Sequence, residues 1–187
     1  MSLILIGPPG AWAPEVAEEL SQRWQVPSAD TDAAICALAG RGVADIAVRE
    51  TGAALRELER NVALALLDDL GGATEERILA LGSGCLGNAA SDGDFAPVRE
   101  KLSVLRTEGH SVVYLSGDAP TLLRRLRLDG PHPASVFAPR RVFFTQLAAR
   151  REIYRACADA EISTDDVEVK DVADAVERYY RQHSERQ

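Results

Sequence analysis

Short apolar runs alternate along this chain with longer stretches in which apolar residues recur at three- and four-residue spacing. The first such stretch shows the period well, because Val16, Ala17, Leu20 and Trp24 fall on one side of a helix. The short runs predict strands at residues 3–6, 77–81 and 111–115, with weaker strand signals at 26–28 and 160–163. The periodic stretches predict helices at residues 14–24, 32–39, 52–69, 95–107, 119–128, 139–158 and 171–183. Such alternation is typical of right-handed βαβ crossovers, so we expect an α/β fold with a parallel sheet covered by helices on both faces.

Length and composition narrow the class of protein. The 187 residues suffice for one α/β domain, and the absence of repeats or a dividing linker predicts a single domain over residues 1–187. A net charge of −8 disfavours nucleic acid as a partner. No apolar run approaches the ~20 residues of a membrane span, and no secretory signal is visible. Three dispersed cysteines suit a reduced compartment, so we expect a cytoplasmic protein without a membrane partner.

The first predicted strand runs into a glycine turn that looks like a phosphate-binding loop. With Gly7 as the first glycine and Gly10 as the second, the Gly-Lys-Ser/Thr of a Walker A motif falls on Trp12, Ala13 and Pro14. Alanine lacks the ammonium that reaches the phosphates, and proline has neither the hydroxyl that binds Mg²⁺ nor an N–H. The alternative is an ordinary turn followed by a helix that begins with proline.

Two carboxylates follow the second predicted strand. In Asp30-Thr31-Asp32, one carboxylate could hold Mg²⁺ while the other accepts a proton from a substrate hydroxyl. The alternative is a helix N-cap, formed by Asp30 or Thr31.

Glycines and arginines supply the remaining candidates. In Gly82-Ser83-Gly84, after the third strand, glycines would let backbone N–H groups approach a ligand, although a tight strand exit explains them equally. Arg56 and Arg150 lie on predicted helices, where a lone arginine is usually a solvated side chain.

Taken in order along almost the whole chain, these motifs resemble the shikimate kinase family. The resemblance implies a P-loop kinase-type fold, with a parallel five-stranded sheet sandwiched by helices and residues 3–6 in its middle. It also implies a helical substrate-binding segment at about residues 32–60 and a lid at about 128–138. The segment Gly40–Ile46 resembles the family's connection between the two parts of its substrate domain.

The substrate half of the family's site is nearly intact. The resemblance implies that Arg56 and Arg150 clamp the carboxylate of a shikimate-like ligand and that Asp32 holds its hydroxyls. In an active member Asp32 would also orient the attacking hydroxyl, which makes it the candidate catalytic residue. Backbone amides of residues 82–84 would cradle the ring, and Ser83 departs mildly from the family's glycine.

The nucleotide half departs further from the family. The family uses ATP and Mg²⁺, with Asp30 as the implied Mg²⁺ ligand and Arg125 near the adenine. Counting back from Pro133 puts His132 where the family's lid carries an arginine. A shorter, mostly neutral histidine is a poor substitute on a transferring phosphoryl group.

Three hypotheses follow from this contrast. The first is a catalytically impaired pseudokinase that binds a shikimate-like ligand and regulates, or partners, another protein of aromatic amino-acid biosynthesis, being otherwise a monomer. The second is an active kinase with a rebuilt loop, in which Asp30 holds Mg²⁺ and an arginine replaces the lysine. The third is a pure interaction domain. For Trp12 we expect the indole to pack over or into the former β-phosphate space, the alternative being an open loop with Trp12 on the outer surface.

Overall fold

The computed structural model of the protein describes residues 1–40, 52–128 and 137–184. The expected lid falls almost wholly outside these ranges, and so does its His132. Most of the Gly40–Ile46 segment also lies outside them. Within the described ranges, no helix is both long and apolar enough to cross a membrane.

Five parallel strands form one sheet. The strands are β1 (Leu3–Ile6), β2 (Ser28–Asp30), β3 (Ile78–Ala80), β4 (Ser111–Ser116) and β5 (Ala160–Ser163), in the order β2-β3-β1-β4-β5. Every neighbouring pair is parallel, and β1 lies in the middle between β3 and β4. The predicted five-stranded parallel sheet with residues 3–6 at its centre is therefore confirmed.

The second strand starts later than its apolar signal predicts. The preceding helix, α1 (Ala13–Trp24), is capped by Gln25, which has a left-handed backbone (φ 57°). Residues 26 and 27 then lead into the sheet, and pairing begins where Ser28 lies opposite Ile78. The strand predicted at 26–28 is thus shifted to 28–30, because its pairing register follows β3 rather than its own hydrophobicity.

Seven α-helices flank the sheet in the described ranges. They are α1 (Ala13–Trp24), α2 (Thr31–Ala39), α3 (Gly52–Gly71), α4 (Ala96–Thr107), α5 (Ala119–Arg125), α6 (Phe137–Cys157) and α7 (Val169–Ser184). A short 3₁₀ helix, Gly93–Phe95, precedes α4. The helix predicted at 119–128 ends early, since Arg127 adopts a left-handed backbone (φ 56°).

The central strand β1 is buried on both of its faces. Leu3 and Leu5 pack into a cluster with α1 and α7, whereas Ile4 and Ile6 pack into a second cluster with α3 and α4. Because β1, β3 and β2 are parallel neighbours, their carboxyl ends lie side by side at one edge of the sheet. Ligands of such sheets bind at this edge.

Candidate ligand-binding site

The Asp30-Thr31-Asp32 motif is attached directly to the glycines that follow β3. Asp30 caps α2, with its carboxylate oxygens accepting from the Asp32 N–H (3.1 Å) and the Ala33 N–H (3.3 Å). The N-cap interpretation of Asp30 is therefore confirmed. Thr31 is fully buried, and its Oγ1 accepts a hydrogen bond from the Gly82 N–H at 2.6 Å.

Asp32 lies where the phosphate-loop region meets the glycines. It lines a cavity of about 240 Å³ together with residues 7–10, residues 12–15 and residues 81–83. Gly82 comes so close that a Cβ there would lie 2.2 Å from Asp32 Oδ1. Burial raises the pKa of the Asp32 carboxyl, and the negative charge of Asp30 raises it further. A carboxyl in this setting can accept a proton from a ligand hydroxyl.

Arg150 is a buried part of this site and not a solvated helix residue. It is 8% exposed; its Nε donates to Asn88 Oδ1 at 2.9 Å and its Nη1 to Ser83 Oγ at 3.4 Å. One turn further along α6, the buried Tyr154 donates its hydroxyl to the Ser83 carbonyl at 2.8 Å. Two residues of α6 therefore bind Ser83: Arg150 binds its side-chain hydroxyl and Tyr154 binds its backbone carbonyl.

Arg56 points into the same region but is bound to a carboxylate of the chain itself. Its Nη2 donates to Asp92 Oδ2 at 2.6 Å, and its guanidinium carbon lies 4.7 Å from the centre of the Phe95 ring. The hydrogen bond from Arg56 lowers the pKa of Asp92. The partner of Arg56 comes from a loop that the sequence analysis did not consider.

Glu59 is a site residue that the sequence analysis missed. A Cβ on Gly84 would lie 2.0 Å from Glu59 Oε1, so the glycine makes room for this carboxylate. Burial raises the pKa of Glu59, the charge of Arg150 opposes the rise, and the charge of Asp32 adds to it. Glu59 lies three residues after Arg56, which places both side chains on one face of α3. This spacing is the feature of the sequence from which Glu59 could have been predicted as a site residue.

The loop after β1 keeps a backbone suited to glycine. Gly7 approaches β4 so closely that a Cβ would lie 2.5 Å from the Leu115 carbonyl oxygen, and Gly10 has φ +83°. Trp12 occupies the next glycine position of the motif and has a left-handed backbone, with φ 66° and ψ 26°. Non-glycine residues rarely adopt this conformation.

The Trp12 indole lies against an arginine and lines the cavity. It is half-buried, packs against the core cluster of α1, and has the Arg125 guanidinium carbon 3.2 Å from its ring centre. Arg125 also donates to the Gly10 carbonyl at 3.0 Å and to Thr164 Oγ1 at 2.8 Å. The indole thus neither stands free on the outer surface nor fills the cavity beside it.

The side chains at residues 13 and 14 carry no group that binds phosphate or Mg²⁺. Ala13 and Pro14 are the first two residues of α1, so this helix start offers no ammonium, no hydroxyl and no N–H at residue 14. Both Asp30 oxygens already serve as a helix cap. Among residues 1–40, 52–128 and 137–184, no cluster of three or more His, Cys, Asp or Glu residues could hold a metal ion.

Comparison with known sequences gives one consistent result. A sequence model of the family described as shikimate kinase matches residues 14–180, beginning just after the loop. A shikimate kinase of Thermobifida fusca is 32% identical over 92% of this chain and 91% of its own. A shikimate kinase of Salinispora arenicola is 33% identical over 87% of each chain.

Comparison with solved structures agrees on the fold. A shikimate kinase from Acinetobacter baumannii, solved in complex with shikimate, superposes with a TM-score of 0.76 at 24% identity. The superposition covers 97% of this chain and 93% of that one. A shikimate kinase from Aquifex aeolicus superposes with a TM-score of 0.68 at 20% identity, covering 98% of both chains. The sequence match and the fold agree, and this chain belongs to the shikimate kinase family.

Proposed function

We propose that the protein binds shikimate or a closely similar cyclic polyol carboxylate and transfers phosphate to it very slowly, if at all. The observation that carries this proposal is the contrast between the two halves of one cavity. On one side lie Asp32, Gly82 and Ser83, and the buried Arg150 is hydrogen-bonded to Ser83. On the other side the loop presents Trp12 and residues without phosphate-binding groups.

The substrate side supports binding of an anion that carries hydroxyls. The hydrogen bonds of Arg150 within the described residues go to neutral oxygens of Asn88 and Ser83, and the nearby Glu59 carboxylate acts on it only through charge. A ligand carboxylate can therefore still form charge-assisted hydrogen bonds with Arg150. Arg56 offers a second guanidinium near the same loop. Asp32, whose pKa is raised, can accept hydrogen bonds from ring hydroxyls.

The loop side supports weak phosphoryl transfer. Enzymes of this kind act mainly by positioning the γ-phosphoryl group and stabilising its charge. The ammonium and the metal-binding hydroxyl are missing, and removing even one such donor from a preorganised site costs about 2.7–4 kcal/mol of transition-state stabilisation. A protein of this kind would work through ligand binding, in a regulatory role or as partner of an enzyme of aromatic amino-acid biosynthesis.

An active kinase is the second candidate, and two observations favour it. The curated relatives are themselves shikimate kinases. Arg125 also brings a guanidinium onto the loop, where it contacts the Gly10 carbonyl and the Trp12 ring. In this alternative Arg125 supplies the missing positive charge, Asp30 holds Mg²⁺ and Asp32 orients the attacking hydroxyl.

Turnover and binding measured on the same sample separate the two candidates. We expect shikimate phosphorylation in a coupled assay with ATP·Mg to stay well below ~1 s⁻¹, the low end of typical enzyme rates. Arg150→Ala should weaken shikimate binding about ten- to a hundredfold, since a hydrogen bond to a charged group contributes about 1.5–3 kcal/mol. Arg155→Ala, on the same helix but with a side chain that is 48% exposed, is the matched control and should change nothing. Turnover at or above ~1 s⁻¹ would favour the active kinase.

A further inference from the structure

A single loop of the chain supplies hydrogen-bond acceptors to Arg56 and Arg150, the two arginines proposed to bind the ligand carboxylate. Between β3 and the 3₁₀ helix, Asn88 accepts from Arg150 Nε at 2.9 Å, and Asp92 accepts from Arg56 Nη2 at 2.6 Å. The Asn88 N–H in turn donates to Asp92 Oδ2 at 3.2 Å. A continuous chain of hydrogen bonds therefore joins the two guanidinium groups.

The loop is fastened in this position by a third arginine. Arg99, on α4, donates to the carbonyls of Leu86 (2.8 Å), Ala90 (3.0 Å) and Asp92 (2.8 Å). Gly87, with φ +83°, lets the chain turn where a Cβ would lie 2.9 Å from Asp92 Oδ2. The Asp92 carboxylate is thus directed at Arg56 by the fold, not merely near it by chance.

We propose that Asp92 is an internal competitor for the carboxylate of the ligand. The Asp92 carboxylate neutralises Arg56 in the free protein. A ligand carboxylate can bind Arg56 only by displacing Asp92. This inference rests on the proposed function, because it requires that the clamp accept a carboxylate. It makes Asp92 a specificity-determining residue, since a neutral ligand leaves the Arg56–Asp92 pair intact.

The partial exposure of the pair limits the expected size of the effect. The Arg56 side chain is 31% exposed and that of Asp92 is 14% exposed, so solvent screens their attraction in part. Asp92→Asn removes the charge but keeps an oxygen that can accept from the Asn88 N–H. We expect this variant to bind shikimate about two- to fivefold more tightly than the parent, as for a partly exposed ion pair.

Calorimetric titrations with shikimate and with its neutral methyl ester test the proposal. Asp92→Asn should gain affinity for shikimate but not for the ester. The matched control is Asp69→Asn, which breaks an exposed ion pair with Arg77 at the C-terminal end of α3 and should bind as the parent does. In the Arg56→Ala background, Asp92→Asn should bring no gain, because no guanidinium remains to be freed.

The titrations distinguish failure of the Asp92 inference from failure of the proposed function. If the parent binds shikimate but Asp92→Asn binds it equally or less well, the inference fails and the proposed function stands. If only Asp92→Asn binds, the inference holds in its strongest form. If no variant binds shikimate at millimolar concentration, the carboxylate clamp is wrong and both fall. An equal gain for the ester would also overturn the inference, since the charge would not be the cause.

Discussion

Restoring the family pattern in the loop should restore nucleotide binding. The perturbation is the triple substitution Trp12→Gly, Ala13→Lys and Pro14→Ser. The backbone is already suited to the first change, because residue 12 has φ 66°, a conformation that glycine adopts without strain. The second change places a lysine on a residue that lines the cavity of about 240 Å³, so its ammonium has room to extend there. The third returns an N–H and a hydroxyl to α1.

The size of the gain follows from the groups restored. A charge-assisted hydrogen bond from the ammonium contributes about 1.5–3 kcal/mol, and a neutral one from the N–H about 0.5–1.5 kcal/mol. A gain of about 2–4 kcal/mol corresponds to a thirty- to thousandfold increase in ATP affinity. Loss of the Trp12 ring also frees the Arg125 guanidinium that is stacked on it.

The assay is calorimetric titration of parent and variants with ATP·Mg, with thermal unfolding to show that each variant is folded. Trp12→Gly combined with Pro14→Ser, without the lysine, is the control and should regain only a small part of the affinity. If the triple variant binds ATP within twofold of the parent, the three substituted side chains are not what limits nucleotide binding. The defect would then extend beyond the loop.

Three further predictions concern the substrate side. Gly82→Ala should weaken shikimate binding about tenfold, the cost of one hydrogen bond to a charged group, because its Cβ would displace Asp32, whereas Gly93→Ala, with open space around it, should not. Tyr154→Phe should lower the free energy of unfolding in urea by about 0.5–1.5 kcal/mol, since the Ser83 carbonyl loses its partner. Burial raises the folded-state pKa of Glu59, so its ionisation opposes folding above about pH 4.5; Glu59→Gln should therefore raise the melting temperature at pH 7, with the gain shrinking towards pH 4.

Each of these has a result that would contradict it. Equal losses for the two alanine variants would mean that Asp32 is not displaced. An unfolding free energy unchanged in Tyr154→Phe would mean that the carbonyl finds another partner. A melting temperature lowered by Glu59→Gln at pH 7 would show that the attraction of Arg150 outweighs the cost of burial.

The sheet could be predicted from the sequence because its central strand carries an unambiguous signal. Four consecutive apolar residues before a glycine turn predict a buried strand, and β1 is fully enclosed. The Asp30 cap is equally local, since the acceptor and the N–H groups it binds are neighbours in sequence. The short edge strand β2 could be placed only to within two residues, because its residues pair through backbone groups that any sequence possesses.

The contacts that define the site arise from tertiary packing. Asp92 meets Arg56 across 36 residues and Asn88 meets Arg150 across 62, and neither pair has a periodic signal. The left-handed backbone of Trp12 could have been anticipated from the glycine position that it occupies. Its stacking on Arg125 depends on how α5 packs beside the loop, which no local pattern encodes.

We expect the shikimate side of the site to bind its ligand while the loop side does not bind nucleotide. The most direct test is calorimetric titration of the unmodified protein with shikimate and with ATP·Mg, each alone. We expect saturable shikimate binding that weakens in Arg150→Ala, and no saturable binding of ATP·Mg in the same concentration range. Tight binding of ATP·Mg by a protein that ignores shikimate would contradict it.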